Sequence, residues 1–232
     1  MHNSFFITGT DTNIGKTVMT CALIEHFKNK GHIVNAMKPV AAGEDIINGL
    51  KINPDVEKFT VVNSSKIPLE VINPYSFDEA IAPHIAANRN NKEVNLDYIK
   101  KQFLILQNKS EYLFVEGAGG YLVPLNESKT ISDLISYLDI PIILVVGIRL
   151  GCINHTMLTV ESIKNNNQQI FGWIANTVES DMEGNSENLD YLKKNINAPL
   201  IGNVPFLNNI DSKKNLNSFL LNDDYQWPLN RL

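Results

Sequence analysis

Gly9-Thr10-Asp11-Thr12-Asn13-Ile14-Gly15-Lys16-Thr17 follows the apolar run Phe5-Phe6-Ile7 and leads into the helical pattern Val18-Met19-Leu23-Ile24-Phe27. A strand, a glycine-bearing loop ending in Gly-Lys-Thr and a helix together make a phosphate-binding loop. Backbone N–H groups and the positive end of the helix cradle the phosphates, Lys16 reaches the β and γ oxygens, and the Thr17 hydroxyl ligates Mg²⁺. The general motif has four residues between its glycines. Here there are five, with Thr10 where the first glycine would stand. The competing reading is a chance Gly-Lys-Thr at a helix start; the strand before it and the helix after it argue against chance. The chain is expected to bind a nucleoside triphosphate.

Outward from this loop, short apolar strands alternate with helical segments. Strands are expected at Ser4–Thr8, Ile33–Lys38, Tyr112–Glu116, Ile142–Gly147, Ile170–Asn176 and Leu200–Val204. Helices are expected near Lys16–Lys30, Leu96–Gln107, Ile131–Leu138, Asn154–Asn165 and Glu187–Asn195. The alternation predicts an α/β fold, doubly wound around a mostly parallel sheet, and residues 1–232 read as a single domain. Ile142-Ile143-Leu144-Val145-Val146 is apolar throughout, as a strand covered on both faces should be.

Composition narrows the partners. The 232 residues are 44% hydrophobic and carry a net charge of −5 with no basic run, which disfavours nucleic acid as a ligand. No apolar run reaches the roughly eighteen residues of a membrane span, and Met1-His2-Asn3 leaves no room for a leader before the first strand. A cytoplasmic protein without membrane partners is expected. Cys21 and Cys152 are too few for a disulfide framework or a zinc site. Asparagine clusters at 88–91, 165–167 and 208–209 read as solvated loops.

In doubly wound sheets ligands bind beyond the carboxyl ends of the strands, so the residues that follow each strand matter most. Lys38 closes the second strand and reads either as a cation aimed into the phosphate crevice or as a solvated lysine. Asp55 sits at an expected helix start, where a carboxylate is also a good cap. Glu116 ends an apolar strand before Gly117-Ala118-Gly119-Gly120; an acid there suits magnesium, and the glycines admit close backbone approach. Around Cys152 to Asn154, free N–H groups at a helix start form a natural carboxylate site. His155 reads as a packed or capping imidazole, and Asn176 either as a reader of a purine edge or as a turn residue.

These segments resemble the dethiobiotin synthetase family. The resemblance runs in order through Thr8-Gly9-Thr10-Asp11-Thr12, Gly15-Lys16-Thr17, Lys38-Pro39-Val40, Asn73-Pro74-Tyr75, Pro83-His84-Ile85 and Val115-Glu116-Gly117-Ala118-Gly119-Gly120. It continues through Leu150-Gly151-Cys152-Ile153-Asn154-His155, Gly172-Trp173-Ile174-Ala175-Asn176 and Pro199-Leu200-Ile201-Gly202. The resemblance implies closure of a ureido ring on 7,8-diaminononanoate. In that chemistry an amine captures CO₂ as a carbamate, the carbamate attacks the γ-phosphorus of ATP, and the second amine closes the ring as phosphate leaves. It implies that Asn13, Ile14, Gly15, Lys16, Thr17 and Val18 hold phosphates, that Gly119 and Glu116 approach the nucleotide, and that Asn176 and Pro205 border the adenine. Thr17, Asp55 and Glu116 would ligate Mg²⁺. Lys16, Lys38 and Thr12 would serve catalysis, Thr12 and Lys38 also contacting substrate. Gly151, Cys152 and Asn154 would receive the substrate carboxylate across a homodimer interface that uses the helix around Met157–Ile163. The chain departs from the family pattern at Ala42 and Ala82, where serines are common, at Arg149 in place of lysine, and at Asn13 in place of an acid. A rival reading is a partitioning or division-site ATPase, which shares the loop but carries an early signature lysine where this chain has Asp11. Such proteins often add a basic or membrane-seeking helix, which the segment 211–232 does not resemble.

Overall fold

The computed structural model describes residues 3–180, 183–207, 216 and 218–220; the asparagine pair at 208–209 and most of the segment 211–232 lie outside them. The chain opens with β1 (Asn3–Gly9), α1 (Lys16–Asn29), β2 (Val34–Met37), β3 (Val40–Ala42), β4 (Asp45–Ile47) and β5 (Leu50–Ile52). Next come α2 (Pro54–Val62), α3 (Leu69–Ile72), β6 (Tyr75–Phe77), α4 (Pro83–Arg89), α5 (Leu96–Gln107) and β7 (Tyr112–Glu116). The remainder holds α6 (Ile131–Leu138), β8 (Ile142–Ile148), α7 (Cys152–Asn165), β9 (Ile170–Thr177), α8 (Asn185–Asn195) and β10 (Leu200–Val204).

Six strands form a parallel sheet in the order β10-β9-β8-β1-β7-β2. All six correspond to expected strands, and the sheet is the doubly wound α/β architecture with a phosphate-binding loop. Strand side chains alternate between faces. Phe5 and Ile7 of β1 therefore pack with α1 residues such as Leu23 and Ile24, while Phe6 packs on the opposite face with Leu134, Ile135 and Ile163. Every residue of β7 and β8 is buried, as strands sandwiched between helices require. β1 lies between β7 and β8, so the chain passes to the other side of β1 when it leaves β7. The phosphate-binding loop opens beside this reversal, where open α/β sheets form their binding crevice.

The expected helices are present, with α7 starting at Cys152 and α8 at Asn185, because Gly151 and Gly184 take left-handed conformations just before them. β2 stops at Met37 because the Lys38 N–H turns away to the Ile72 carbonyl, 2.8 Å off. Between residues 39 and 90 the structure adds elements that the periodic reading does not supply: α2, α3, α4, a parallel β3–β6 ladder and an antiparallel β4–β5 hairpin.

Candidate active site

The loop between β1 and α1 is fixed from inside by Ile14. Its side chain is buried against the backbones of Gly9 and Gly147; a Cβ on either would come within 2.5 Å of it. Gly9 is thus needed for space. Thr10 stands at the motif's usual first glycine, and its N–H bonds the Val145 carbonyl at 3.1 Å. Asn13 and Gly15 have φ of 58° and 88°, a region in which asparagine and glycine are the least strained residues. No side chain caps α1, so the N–H groups of its first turn stay open toward the crevice. Lys16 curls back so that Nζ donates to the Asp11 carbonyl at 2.8 Å. Burial disfavours its ammonium and lowers the pKa to about 8, with Glu116 opposing that fall and Lys38 adding to it.

Lys38, Asp55, Glu116 and Thr17 meet beneath the loop. Lys38 Nζ lies 2.5 Å from Glu116 Oε1 and 3.0 Å from Asp55 Oδ2. The same Oε1 accepts from Thr17 Oγ1 at 2.7 Å. Of the two readings left open for Lys38, the solvated one is ruled out, since its side chain is 6% exposed. Burial works against the ammonium, yet the adjacent Glu116 and Asp55 carboxylates outweigh it and lift the Lys38 pKa above the ordinary lysine value. Burial likewise resists ionisation of Asp55, but Lys38 prevails and holds that carboxyl below the usual range. Asp55 is not the cap of α2. Asn53 Oδ1 takes the N–H groups of Asp55 and Val56 at 3.0 and 3.4 Å, leaving the Asp55 carboxylate for Lys38.

One participant lies beyond the expected set. Thr20 is fully buried, and its Oγ1 lies 2.8 Å from Glu116 Oε2. Its signal was its place three residues after Thr17, on the same side of α1.

Asn176 sits against the loop, with Nδ2 donating to the Ile14 carbonyl at 2.8 Å, and Pro205 is exposed just past β10. Val18 is half-buried in the first turn of α1. Thr12 is exposed, and its hydroxyl borders Gly119, whose φ is 67°. Gly9 to Thr12, residues 120–124 and the α7 residues Leu158, Thr159 and Ser162 line a cleft of about 420 Å³ beside the phosphate crevice. Gly151, Cys152 and Asn154 are not in that lining.

Two expectations at the start of α7 are corrected. The Cys152 N–H is not free, since it bonds the Arg149 carbonyl at 3.0 Å, and the residue is buried. His155 is neither packed nor a cap; it lies exposed on the first turn. Gly151 and Asn154 are exposed.

Comparison with known proteins bears on this geometry. The model of a family described as an AAA domain matches residues 3–214. The ATP-dependent dethiobiotin synthetase BioD of Wigglesworthia glossinidia brevipalpis is 43% identical over 95% of this chain and 97% of its own length. Its counterpart in Nitrosospira multiformis is 42% identical over 92% of each chain. The chain belongs to the dethiobiotin synthetase family. Its members named here are ATP-dependent ligases, and that is the class of enzyme to which this chain is assigned. Among solved structures it resembles the MinC:MinD cell division complex of Aquifex aeolicus, with a TM-score of 0.56 at 14% identity over 94% of this chain and 86% of that one. A ParA family ATPase of Chlorobium tepidum gives 0.55 at 13% identity over 95% and 91%. Identities this low speak to the shared phosphate-loop fold and not to a common activity.

Proposed function

We propose that this synthetase closes the ureido ring of dethiobiotin from 7,8-diaminononanoate, CO₂ and ATP through a carbamate and a carbamic-phosphoric anhydride, releasing ADP and phosphate. The observation that carries the reading is the Lys38–Glu116–Asp55–Thr17 cluster under a phosphate loop, with all but Asp55 buried, in a chain of this family. Charge handling suffices for this chemistry: the substrate amines are the nucleophiles, so the protein positions reactants and offsets the charge that develops on phosphoryl oxygens. Lys16 and the open N–H groups of α1 would hold the phosphates, Lys38 would face the carbamate and the transferred phosphoryl group, and Asn176 and Pro205 would border the base.

Two carboxylates and a hydroxyl are hard oxygen donors that suit Mg²⁺. Among the described residues no group of three or more His, Cys, Asp or Glu side chains is placed to hold a metal by itself. Thr17, Asp55 and Glu116 would therefore hold Mg²⁺ jointly with nucleotide phosphates, and the ion would supply charge neutralisation at the β and γ oxygens.

The cleft lined by Thr12 and Gly120 would take the diamine, and the exposed Gly151–Asn154 turn of a second subunit would take its carboxylate. Support comes from Leu122 and Leu158, which line that cleft and are 56% and 59% exposed, apolar surface suited to a homodimer. Ile163 is buried against the sheet, so an interface on α7 would use the Leu158 side of that helix. We infer a single-domain cytoplasmic enzyme acting on small molecules; no helix among the described residues is long and apolar enough to cross a membrane. An ADP-release assay with the diamine and bicarbonate, each omitted in turn, tests the activity. ADP release that ignores both would favour the partitioning-type ATPase, which Asp11 at the signature position argues against.

A further inference from the structure

The carboxylate oxygens of this site are already occupied by the chain's own groups. Glu116 Oε2 is held by Thr20, and Oε1 receives both Thr17 and Lys38. The free side of Asp55 faces Lys58, 3.7 Å from Oδ1, whereas Oδ2 is bound to Lys38. Glu116 is fully buried, so it cannot present a new oxygen by swinging into solvent. Lys38 is the cation that bridges the two acids, on Glu116 Oε1 and Asp55 Oδ2.

We infer that Lys38 is the resting counter-cation of the site and that its ammonium and a divalent cation exchange at Glu116 Oε1 and Asp55 Oδ2. The inference rests on the reading of Thr17, Asp55 and Glu116 as the metal-facing set. Two like charges a few ångströms apart in a buried setting repel strongly, so an ammonium and a divalent ion on the same carboxylate oxygens compete. Thr17 spends only its proton on Oε1, so the lone pairs of its hydroxyl remain available to an ion. As the acids accept a divalent ion, Lys38 leaves them, and its charge becomes available to the reacting groups above. The lysine would then be engaged for catalysis only when the ion is in place.

The sign of one measurement separates this exchange from simple side-by-side binding. Mn²⁺ titrated into the full-length protein carrying one equivalent of ADP, with free ion counted by electron paramagnetic resonance, should bind more tightly to Lys38→Met than to wild type, by about tenfold or more for removal of one competing charge. Lys38→Arg should stay as weak as wild type. Binding to Lys38→Met that is equal to or weaker than wild type, while Asp55→Asn still weakens it, overturns the exchange and leaves the metal placement standing. A gain that persists when Asp55→Asn and Glu116→Gln are added puts the ion elsewhere and overturns both. Unpaired buried acids endanger folding of Lys38→Met, so a wild-type measurement runs beside it. Acetylation of Lys38, followed by mass spectrometry, should be slow in the metal-free protein and accelerate several-fold with saturating Mn²⁺. An unchanged rate counts against the exchange.

Discussion

Lys16 should make nucleotide binding fall off above neutral pH. Its side chain is buried, and desolvation brings its pKa from 10.5 to about 8 despite the nearby Glu116 carboxylate. Phosphates bind the ammonium form, so binding is favoured below that pKa and lost as pH rises through it. With a pKa near 8 the amine is roughly three-quarters protonated at pH 7.5 and about one-tenth protonated at pH 9. The apparent affinity should therefore drop about eightfold, ~1.2 kcal/mol. ADP is a suitable probe because a terminal phosphate ionises near pH 6 and carries constant charge over this range. Titration calorimetry of ADP into metal-free protein at pH 7.5, 8.25 and 9 measures the effect. Lys16→Arg, whose guanidinium stays charged throughout, should bind with no such slope. Equal affinity at pH 7.5 and 9 in the wild type, or the same decline in Lys16→Arg, would refute the argument.

Lys38→Ala should cut turnover by about a hundredfold or more, the usual scale for removing one group that stabilises charge at the transferred phosphoryl; wild-type turnover would remove Lys38 from the mechanism. Gly147→Ala puts a Cβ 2.5 Å from Ile14 Cγ2 and should cost ~1–3 kcal/mol by displacing the loop's internal anchor. Chemical denaturation reads that loss, and an unchanged midpoint would show that Ile14 can move aside. In verified heterodimers, an inactive Lys16→Ala chain and an inactive chain altered at Gly151 and Asn154 should recover partial activity, since one composite site would hold only intact parts. No recovery would place the carboxylate site within one subunit.

What the sequence made legible divides by length scale. The strands of the main sheet are short, mostly apolar runs, β7 and β8 buried at every residue, and such runs bounded by turn residues are readable in a sequence. Three-residue strands such as β3 and β6 are shorter than any periodic window. Their region nevertheless carried local signals: Asn48-Gly49, with φ of 52° and 77°, makes the tight turn of the β4–β5 hairpin, and Asn53-Pro54 starts α2. Those same signals decide the role of Asp55. Because Asn53 supplies the cap, the acid two residues later is released from that duty, a distinction that turns on which of the two polar residues flanking Pro54 takes the N–H groups. Lys16, Thr17 and Glu116 stood at positions fixed by strand ends and were readable as candidates. Thr20 was hidden because threonine inside a helix has ordinary packing and hydroxyl-to-backbone roles, and here it also lies 2.9 Å from the Lys16 carbonyl.

The partner of Lys38 was beyond local reading for a different reason, which lies in the register of the sheet. β2 pairs with β7 through Val34↔Tyr112 to Met37↔Val115, so the next residues in line are Lys38 and Glu116. β1 meets β7 with Ile7↔Glu116, which sets Glu116 on the face of Ile7 and of α1. The buried ion pair is therefore the continuation of a strand ladder, made at the level where β2 leaves the sheet. A slip of one residue between β2 and β7 would turn Lys38 to the opposite face and leave Glu116 buried with only two hydroxyls. Since an unpaired buried carboxylate is costly, the ion pair and the register hold each other in place. Long-range pairing of strands 78 residues apart thus sets the electrostatics of the site, while the loop whose sequence announces the fold supplies the anion cradle above it.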